Sequence, residues 1–504
     1  MIGMRRTVDL TLAAAALLAL GFLAIVHSRD LPMGIVGEWE WPRIHEPLPA
    51  AGLLIAAAGV MAYGGLAAMG HRALGDPAPG RAREAGWVAG LAVSAVALQV
   101  LIPIGAPHIY GLTKWSYIHY LRGATGYLEI AKDQARAAPL RFLAEYPEWI
   151  AAKDSNHIGA HPPGLIAMYA GLLSLTERHG ATAGLVIAAT PPAVDEGFRR
   201  VEVDVSGPAA IPSTERAAVV LASLIALLAC AGTVVPLYLL ARESLSPRWA
   251  WASSALWPLA SAPNLFQPLS DTMYPFLSAS ALALAAWSAR LRAKPGARAR
   301  TPALLAIGSG AAMAFGMFFS LAFLPIGLIA GLMVMATPSL RWTSRLELIA
   351  WIGAGCAAVV GLWWLTTGAN PFVIWWWNLW HNARFYEGHR RSYFPWILIN
   401  PVELAIAAGL PVVVWFLVGA IGDPRGVPRV AWSALAVLVL VDLSGRNLGE
   451  VARLWMIFLP ALFPAAGVGL ARLGAGGQAL FVTLVLMGMQ TLGLQCMLQF
   501  VYPF

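Results

Sequence analysis

Four carboxylates sit where an acid can do chemistry beside apolar segments. They are Glu38 and Glu40 in Gly37-Glu-Trp-Glu-Trp-Pro-Arg43, Glu129 in Tyr127-Leu-Glu-Ile-Ala131, and Asp271 in Gln267-Pro-Leu-Ser-Asp271. An ionised carboxylate next to a hydroxyl can take its proton, so each is a candidate general base. Cations gather in two segments. One carries His381, Arg384, His389, Arg390 and Arg391; the other runs Arg446-Asn-Leu-Gly-Glu450-Val-Ala-Arg453-Leu-Trp455. Cationic donors in a poorly hydrated site bind phosphate and stabilise developing negative charge. If the second segment is helical, Arg446, Glu450 and Arg453 fall at i, i+4 and i+7 on one face. Tyr127 and His161, the latter opening His161-Pro-Pro-Gly164 ahead of an apolar run, add a phenol and an imidazole.

Each of these residues also has a plainer reading. His161-Pro-Pro-Gly is a good helix start, because proline suits the first helical position. Glu38 and Glu40 can be solvated charges between interfacial tryptophans. Asp271 can cap a helix and favour its dipole, which is compatible with a functional role. The 381–391 cations can touch lipid head groups, and Arg446, Glu450 and Arg453 can form an internal salt-bridge ladder. His157 and His161 are four residues apart, but the sequence offers no third ligand and Pro162 follows, so no metal site is expected there. Trp375-Trp376-Trp377 reads as an interfacial belt.

The elements that must hold these residues are apolar helices. Hydrophobic residues make up 59% of the 504, and charged residues only 12%. Mean hydropathy is +0.66. Soluble domains run near half apolar and a quarter charged, so lipid is the solvent that fits. Apolar stretches at about 7–27, 49–69, 87–105, 162–176, 216–241, 249–265, 272–290, 303–319, 320–336, 346–366, 401–420, 430–443, 453–471 and 478–497 approach bilayer length. Backbone groups in hydrocarbon must pair within their own segment, so helix is expected throughout. The prediction is an all-α polytopic membrane protein of roughly 13–14 transmembrane helices, one transmembrane domain over 1–504. Residues 1–105 supply the N-terminal helices, 106–161 a large non-cytoplasmic loop, and 162–504 the remaining bundle.

The net charge of +8 lies mostly in short loops: Arg5 and Arg6, Arg72 to Arg83, Arg242 and Arg248, Arg290 to Arg300, Arg341 and Arg345, Arg425 and Arg429, and Arg472. Such charge sets orientation and needs no nucleic acid to explain it. The first run, after Arg5 and Arg6, is longer than a signal-peptide core and reads as an uncleaved helix. Cys230, Cys356 and Cys496 lie in apolar runs and read as core packing. Between 162 and 241 the number of crossings must be odd, yet two spans are clear. Either 181–193 crosses or re-enters, or 162–176 does not fully span. The other face collects 28–48, 106–161, 265–272, 367–400 and 442–452, stretches rich in Trp, Tyr, His and charge. Short surface helices are expected in 106–161, with Trp115, Tyr117, Tyr120 and Trp149 at the interface. Residues 194–213 form a separate polar island.

Tyr127-x-x-x-Ala131, followed by His161-Pro-Pro-Gly164 at the start of a span, resembles the lipid-dependent glycosyltransferases of the GT-C superfamily, among them the aminoarabinose and protein O-mannosyltransferases. The likeness covers about 110–290 and includes an acid in a later outer turn, here Asp271. The resemblance implies a GT-C-like bundle with its active site on the non-cytoplasmic face. Where the family places an acidic residue or pair just before the tyrosine, this chain has Gly123-Ala124-Thr125-Gly126. Glu129 or Asp133, or the Glu38–Glu40 loop, can substitute, and the first two spans would be an addition before the family's usual start.

The activity so implied is transfer of a sugar from a polyprenyl-phosphate donor to a cell-envelope acceptor. A carboxylate (Glu38, Glu40, Glu129 or Asp271) acts as base. Tyr127, His161, His381, His389, Arg390, Arg391, Arg446, Glu450 and Arg453 bind substrate. A divalent cation is a candidate cofactor, and membrane lipid is a partner. The alternatives are a non-enzymatic transporter or flippase of a lipid-linked glycan, which should bury charge near the bilayer midplane, and a catalytically inactive relative. Composition suggests a bacterial inner membrane.

Overall fold

The computed structural model describes residues 2–28, 30–75, 79–121, 125–153, 157–204, 210–296 and 299–499. Gly123, Ala124, Arg298 and residues 205–209 of the polar island lie outside these, as does the side chain of His157. Every apolar stretch marked out by the sequence folds as helix, and the only sheet among the described residues is a hairpin pairing Gly34–Ile35 with Trp39–Glu40. The protein is an all-α polytopic membrane protein.

Among the described residues seven helices are long and apolar enough to cross a bilayer: Met4–Ser28, Ala50–Ala73, Arg81–Ile104, Ser213–Arg242, Trp342–Thr367, Val451–Arg472 and Gly477–Met497. Other expected spans are shorter. Gly164–Arg178, Phe323–Met335 and Arg429–Leu443 hold 15, 13 and 15 residues. They reach about 20–23 Å at 1.5 Å per residue, short of a hydrocarbon layer of about 30 Å. The 401–420 stretch, expected as one span, is broken: Tyr393–Ala408 and Leu410–Gly422 meet at 106°. Gly409 makes the break with φ +102°, a region open to glycine, and Pro411 restarts the helix in its first turn.

Lipid-facing side chains such as Leu362 and Leu365 stay exposed on Trp342–Thr367. On its other side the backbone touches Arg300–Met317 directly: a Cβ on Gly310 would sit 1.8 Å from the Ile352 carbonyl oxygen. Small residues allow such close approach where no water drives helices together.

Within 162–241 a short helix turns the chain back. Gly164–Arg178 runs beside Ser213–Gly232, and the nine-residue helix Gly180–Ala188 returns. Nine residues cover only about 13 Å. Pro192–Asp204 then packs on Lys114–Tyr117, where the Ser116 hydroxyl donates to the Val194 carbonyl at 2.6 Å. The chain is therefore back beside the 106–161 stretch before Ser213–Arg242 crosses. The polar island is held there by Arg216, which pairs with Asp195 at 2.9 Å and Glu202 at 2.6 Å.

Hydrogen bonds join the non-spanning stretches into one loop-rich face. Glu38 reaches Ser392 and Trp396, Asn378 reaches Gly159 and His161, and Arg391 reaches Glu450. The 106–161 stretch is a series of short helices, the longest Pro139–Ala151. Trp115 and Tyr117, expected at the interface, are instead buried at 6% and 0% exposure, because Pro192–Asp204 covers them; Tyr120 and Trp149 remain half-buried. Residues 371–388 form a helix started by Pro371, with the Asn370 side chain accepting from the Phe372 amide at 2.9 Å. Of the tryptophan triplet only Trp376 is exposed, while Trp375 packs into the core.

Candidate active site

Tyr127 starts a one-turn helix that continues as a π turn over Ala131–Ala135, and only 4% of it is exposed. Its ring meets the His161 imidazole edge-on, with centroids 6.0 Å apart. His161 is fixed through its backbone. Its carbonyl accepts from the Tyr146 hydroxyl at 3.0 Å and from the Asn378 amide at 2.9 Å; the same Asn378 nitrogen donates to the Gly159 carbonyl at 2.8 Å. The Gly164 amide donates to the Phe318 carbonyl at 2.7 Å, and a Cβ on Gly164 would stand 2.3 Å from that oxygen. The His161–Gly164 motif is thus clamped onto the break between Arg300–Met317 and Phe323–Met335.

Asp271 lies in the tight turn Ser270–Met273, half-buried. Among the described residues its carboxylate accepts no hydrogen bond and makes no ion pair, so it is not a hydrogen-bonding cap of the helix Tyr274–Arg292 that follows. Tyr127, His161, Tyr274 and Arg453 all lie within its electrostatic reach. Burial, reinforced by Tyr274 and by the charge of Asp271, pushes the Tyr127 phenol well above its ordinary range. Burial also lowers the His161 imidazole, a shift opposed by Asp271 and reinforced by Arg453. Tyr127 and His161 meet ring to ring, and the Asp271 carboxylate and the Arg453 guanidinium lie within electrostatic reach of both.

Glu450 links this cluster to the surface. Its carboxylate receives Arg453 at 3.2 Å and Arg391 at 2.8 Å. Residues 446–450 are irregular and Glu450 adopts φ +57°, so the one-face helix expected for Arg446, Glu450 and Arg453 does not form. Gly445 and Gly449, both at positive φ, turn the chain there. Arg446 is exposed, and only Glu450 and Arg453 meet.

Arg391 is consumed in structure: it also donates to the Leu448 carbonyl and lies within 6.0 Å of the Trp39, Tyr386 and Trp396 rings. Glu38 accepts from the Ser392 amide at 2.8 Å and the Trp396 indole at 2.7 Å. Burial pushes its carboxyl up, but these donors and the Arg391 charge outweigh it and hold the group below the usual range. Glu40 is exposed on the same hairpin, and Glu129 is half-buried two residues beyond Tyr127. His381 is buried with Nε2 against the Ile150 carbonyl at 2.9 Å, beneath Pro139–Ala151. His389 stacks on Phe385 at 4.4 Å, and both it and Arg390 are exposed. Tyr127, His161, Asp271 and Arg453 come together; the other candidates lie around them or apart.

Sequence reasoning missed Tyr274, Asn378 and Glu403. Tyr274 follows Asp271 by one helical turn, a usable signal. Asn378 left none. Glu403 is an acid inside an apolar helix, a feature that by itself marks a functional candidate. No group of three or more His, Cys, Asp or Glu side chains suited to a metal gathers among the described residues.

No protein-family model matches the chain, and no curated protein matches it. Among solved structures the chain is similar to the Archaeoglobus fulgidus oligosaccharyltransferase in complex with Zn and sulfate, at a TM-score of 0.43 and 12% identity, over 79% of this chain and 53% of that one. The chain spans about half the length of that structure.

Proposed function

We propose that this protein is a membrane glycosyltransferase. It moves a sugar from a polyprenyl-phosphate donor to a cell-envelope acceptor on the non-cytoplasmic face of a bacterial inner membrane. The observation that carries the reading is the convergence of Tyr127, His161, Asp271 and Arg453, drawn from four distant segments, around a carboxylate that accepts no hydrogen bond among the described residues. In this reading the acceptor hydroxyl attacks the anomeric carbon and its proton passes to Asp271. The bond from that carbon to the phosphate oxygen breaks, and the polyprenyl phosphate departs with the electron pair, its charge met by Arg453. Tyr127 and His161, protonated phenol and neutral imidazole, orient sugar hydroxyls.

One observation favours a transporter or flippase of a lipid-linked glycan instead: the broken pair Tyr393–Ala408 and Leu410–Gly422 carries the buried acid Glu403, and transporters build sites at broken helices. The test is transfer of radiolabelled sugar from polyprenyl-phosphate donors in membranes. Wild type is expected to consume a donor, and Asp271→Asn to lose about 10²-fold or more while inserting normally. If no donor is consumed by wild type, the transferase reading fails and translocation of a lipid-linked glycan is the next measurement.

A further inference from the structure

A second site lies on the other side of the 450–453 turn. A cavity of about 260 Å³ is lined by Phe22, Met33, Trp39, Trp41, Phe266, Trp396 and Glu403, among other mainly apolar residues, and among the described residues no Lys, Arg or His lines it. Four rings follow one another around the wall: Trp396 to Trp39 at 6.2 Å, Trp39 to Trp41 at 5.1 Å, and Trp41 to Phe266 at 5.7 Å. Glu403 is 6% exposed. Its Oε1 accepts from the Ala452 amide at 3.1 Å, while Oε2 has no hydrogen-bond partner. The Trp41 indole and the Val451 amide approach the same carboxyl without meeting hydrogen-bond geometry.

A purely apolar occupant leaves this carboxyl unexplained. An ionised carboxylate buried without a cation is costly, and aromatic walls around an anion suit an organic ammonium, which each ring face attracts. Arg391 already lies within 5.8 Å of the Trp39 and Trp396 rings, so these rings hold a cation in the structure itself, although Arg391 is not among the cavity's lining residues. The occupant's source follows from the mouth. Val402, on the cavity wall, is 56% exposed on an apolar helix bent 106° from its neighbour, and Phe22 comes from the lipid-facing first helix. We propose that this cavity binds the ammonium headgroup of a bilayer lipid, with Glu403 as counter-ion, the Trp39–Trp41–Trp396–Phe266 wall as cage, and the acyl chains leaving past Val402. The site does not depend on the transferase reading.

The test is native mass spectrometry of the purified full chain titrated with dioleoyl phosphatidylethanolamine, its N-acylated derivative, dioleoyl phosphatidylglycerol and free ethanolamine. Phosphatidylethanolamine is expected to bind at least tenfold more tightly than phosphatidylglycerol and N-acylated lipid. Glu403→Gln, which keeps an acceptor for the Ala452 amide, should bring that ratio to within about twofold, and Trp39→Leu should reduce it. The N-acylated comparison needs no variant, so it decides the matter even if Glu403→Gln fails to fold. Equal binding of all three lipids by wild type, or an unchanged ratio in a folded Glu403→Gln, overturns the proposal. Free ethanolamine competing as well as the lipid overturns the bilayer source.

Discussion

The His161 carbonyl is held by two donors, and removing them singly and together measures how firmly the site is built. Tyr146→Phe takes away one hydroxyl but keeps the ring against Trp149, 5.2 Å away. Asn378 still donates at 2.9 Å, so the cost should be about 1 kcal/mol, the net worth of one hydrogen bond. Asn378→Leu fills similar space and loses two hydrogen bonds, to Gly159 and His161. It also removes a buried amide oxygen that has no partner, which offsets part of the loss, leaving roughly 1–2 kcal/mol. The double variant takes both of these donors from a partly buried carbonyl, so an additional ~1 kcal/mol should appear as coupling between the two positions. Denaturant unfolding of the detergent-solubilised protein reads all four corners of the cycle. Sugar transfer should fall most in the double variant, because the imidazole facing Tyr127 depends on this backbone. Additivity within about 0.5 kcal/mol would show that the two donors do not share the carbonyl, and the clamp would have to be abandoned.

Gly164→Ala forces a methyl to within 2.3 Å of the Phe318 carbonyl oxygen. That is backbone against backbone, so a loss of ~1–3 kcal/mol and a lower unfolding temperature are expected; unchanged stability would refute the close approach. Lys114 is buried with Nζ donating to the Leu265 carbonyl at 2.9 Å, and burial pushes its ammonium down to about 7. A folded-state base weaker than the unfolded one binds fewer protons, so stability should rise with pH from about 7 towards the ordinary lysine range near 10.4. In Lys114→Met that rise should flatten, whatever its effect at a single pH. Glu38→Ala strands the Ser392 amide and the Trp396 indole, and a charged acceptor is worth about 1.5–3 kcal/mol. Protease susceptibility of the 31–43 hairpin should increase, and a hairpin as resistant as in wild type would count against this anchoring.

The apolar stretches and their helical state were legible in the sequence because a helix closes its backbone hydrogen bonds within itself, and lipid requires that closure. The resemblance suggested the pairing of Tyr127 with His161, whose rings meet at 6.0 Å, and the turn holding Asp271 was legible because it directly precedes an apolar run. Whether an acid or base is open or already used was not legible. Glu38 and Asp271 look alike in sequence, yet one is spent on Ser392 and Trp396, 354 and 358 residues away, while the other accepts no hydrogen bond among the described residues. The same holds for Arg391 and Arg390, adjacent residues of which one is a strut and the other is exposed. Local pattern missed the break at Gly409 and left 181–193 open between crossing and re-entry, because both depend on how segments pack rather than on how apolar they are. Tertiary structure alone decided these points, because a side chain's free hydrogen-bonding capacity is set by the distant groups that folding brings to it.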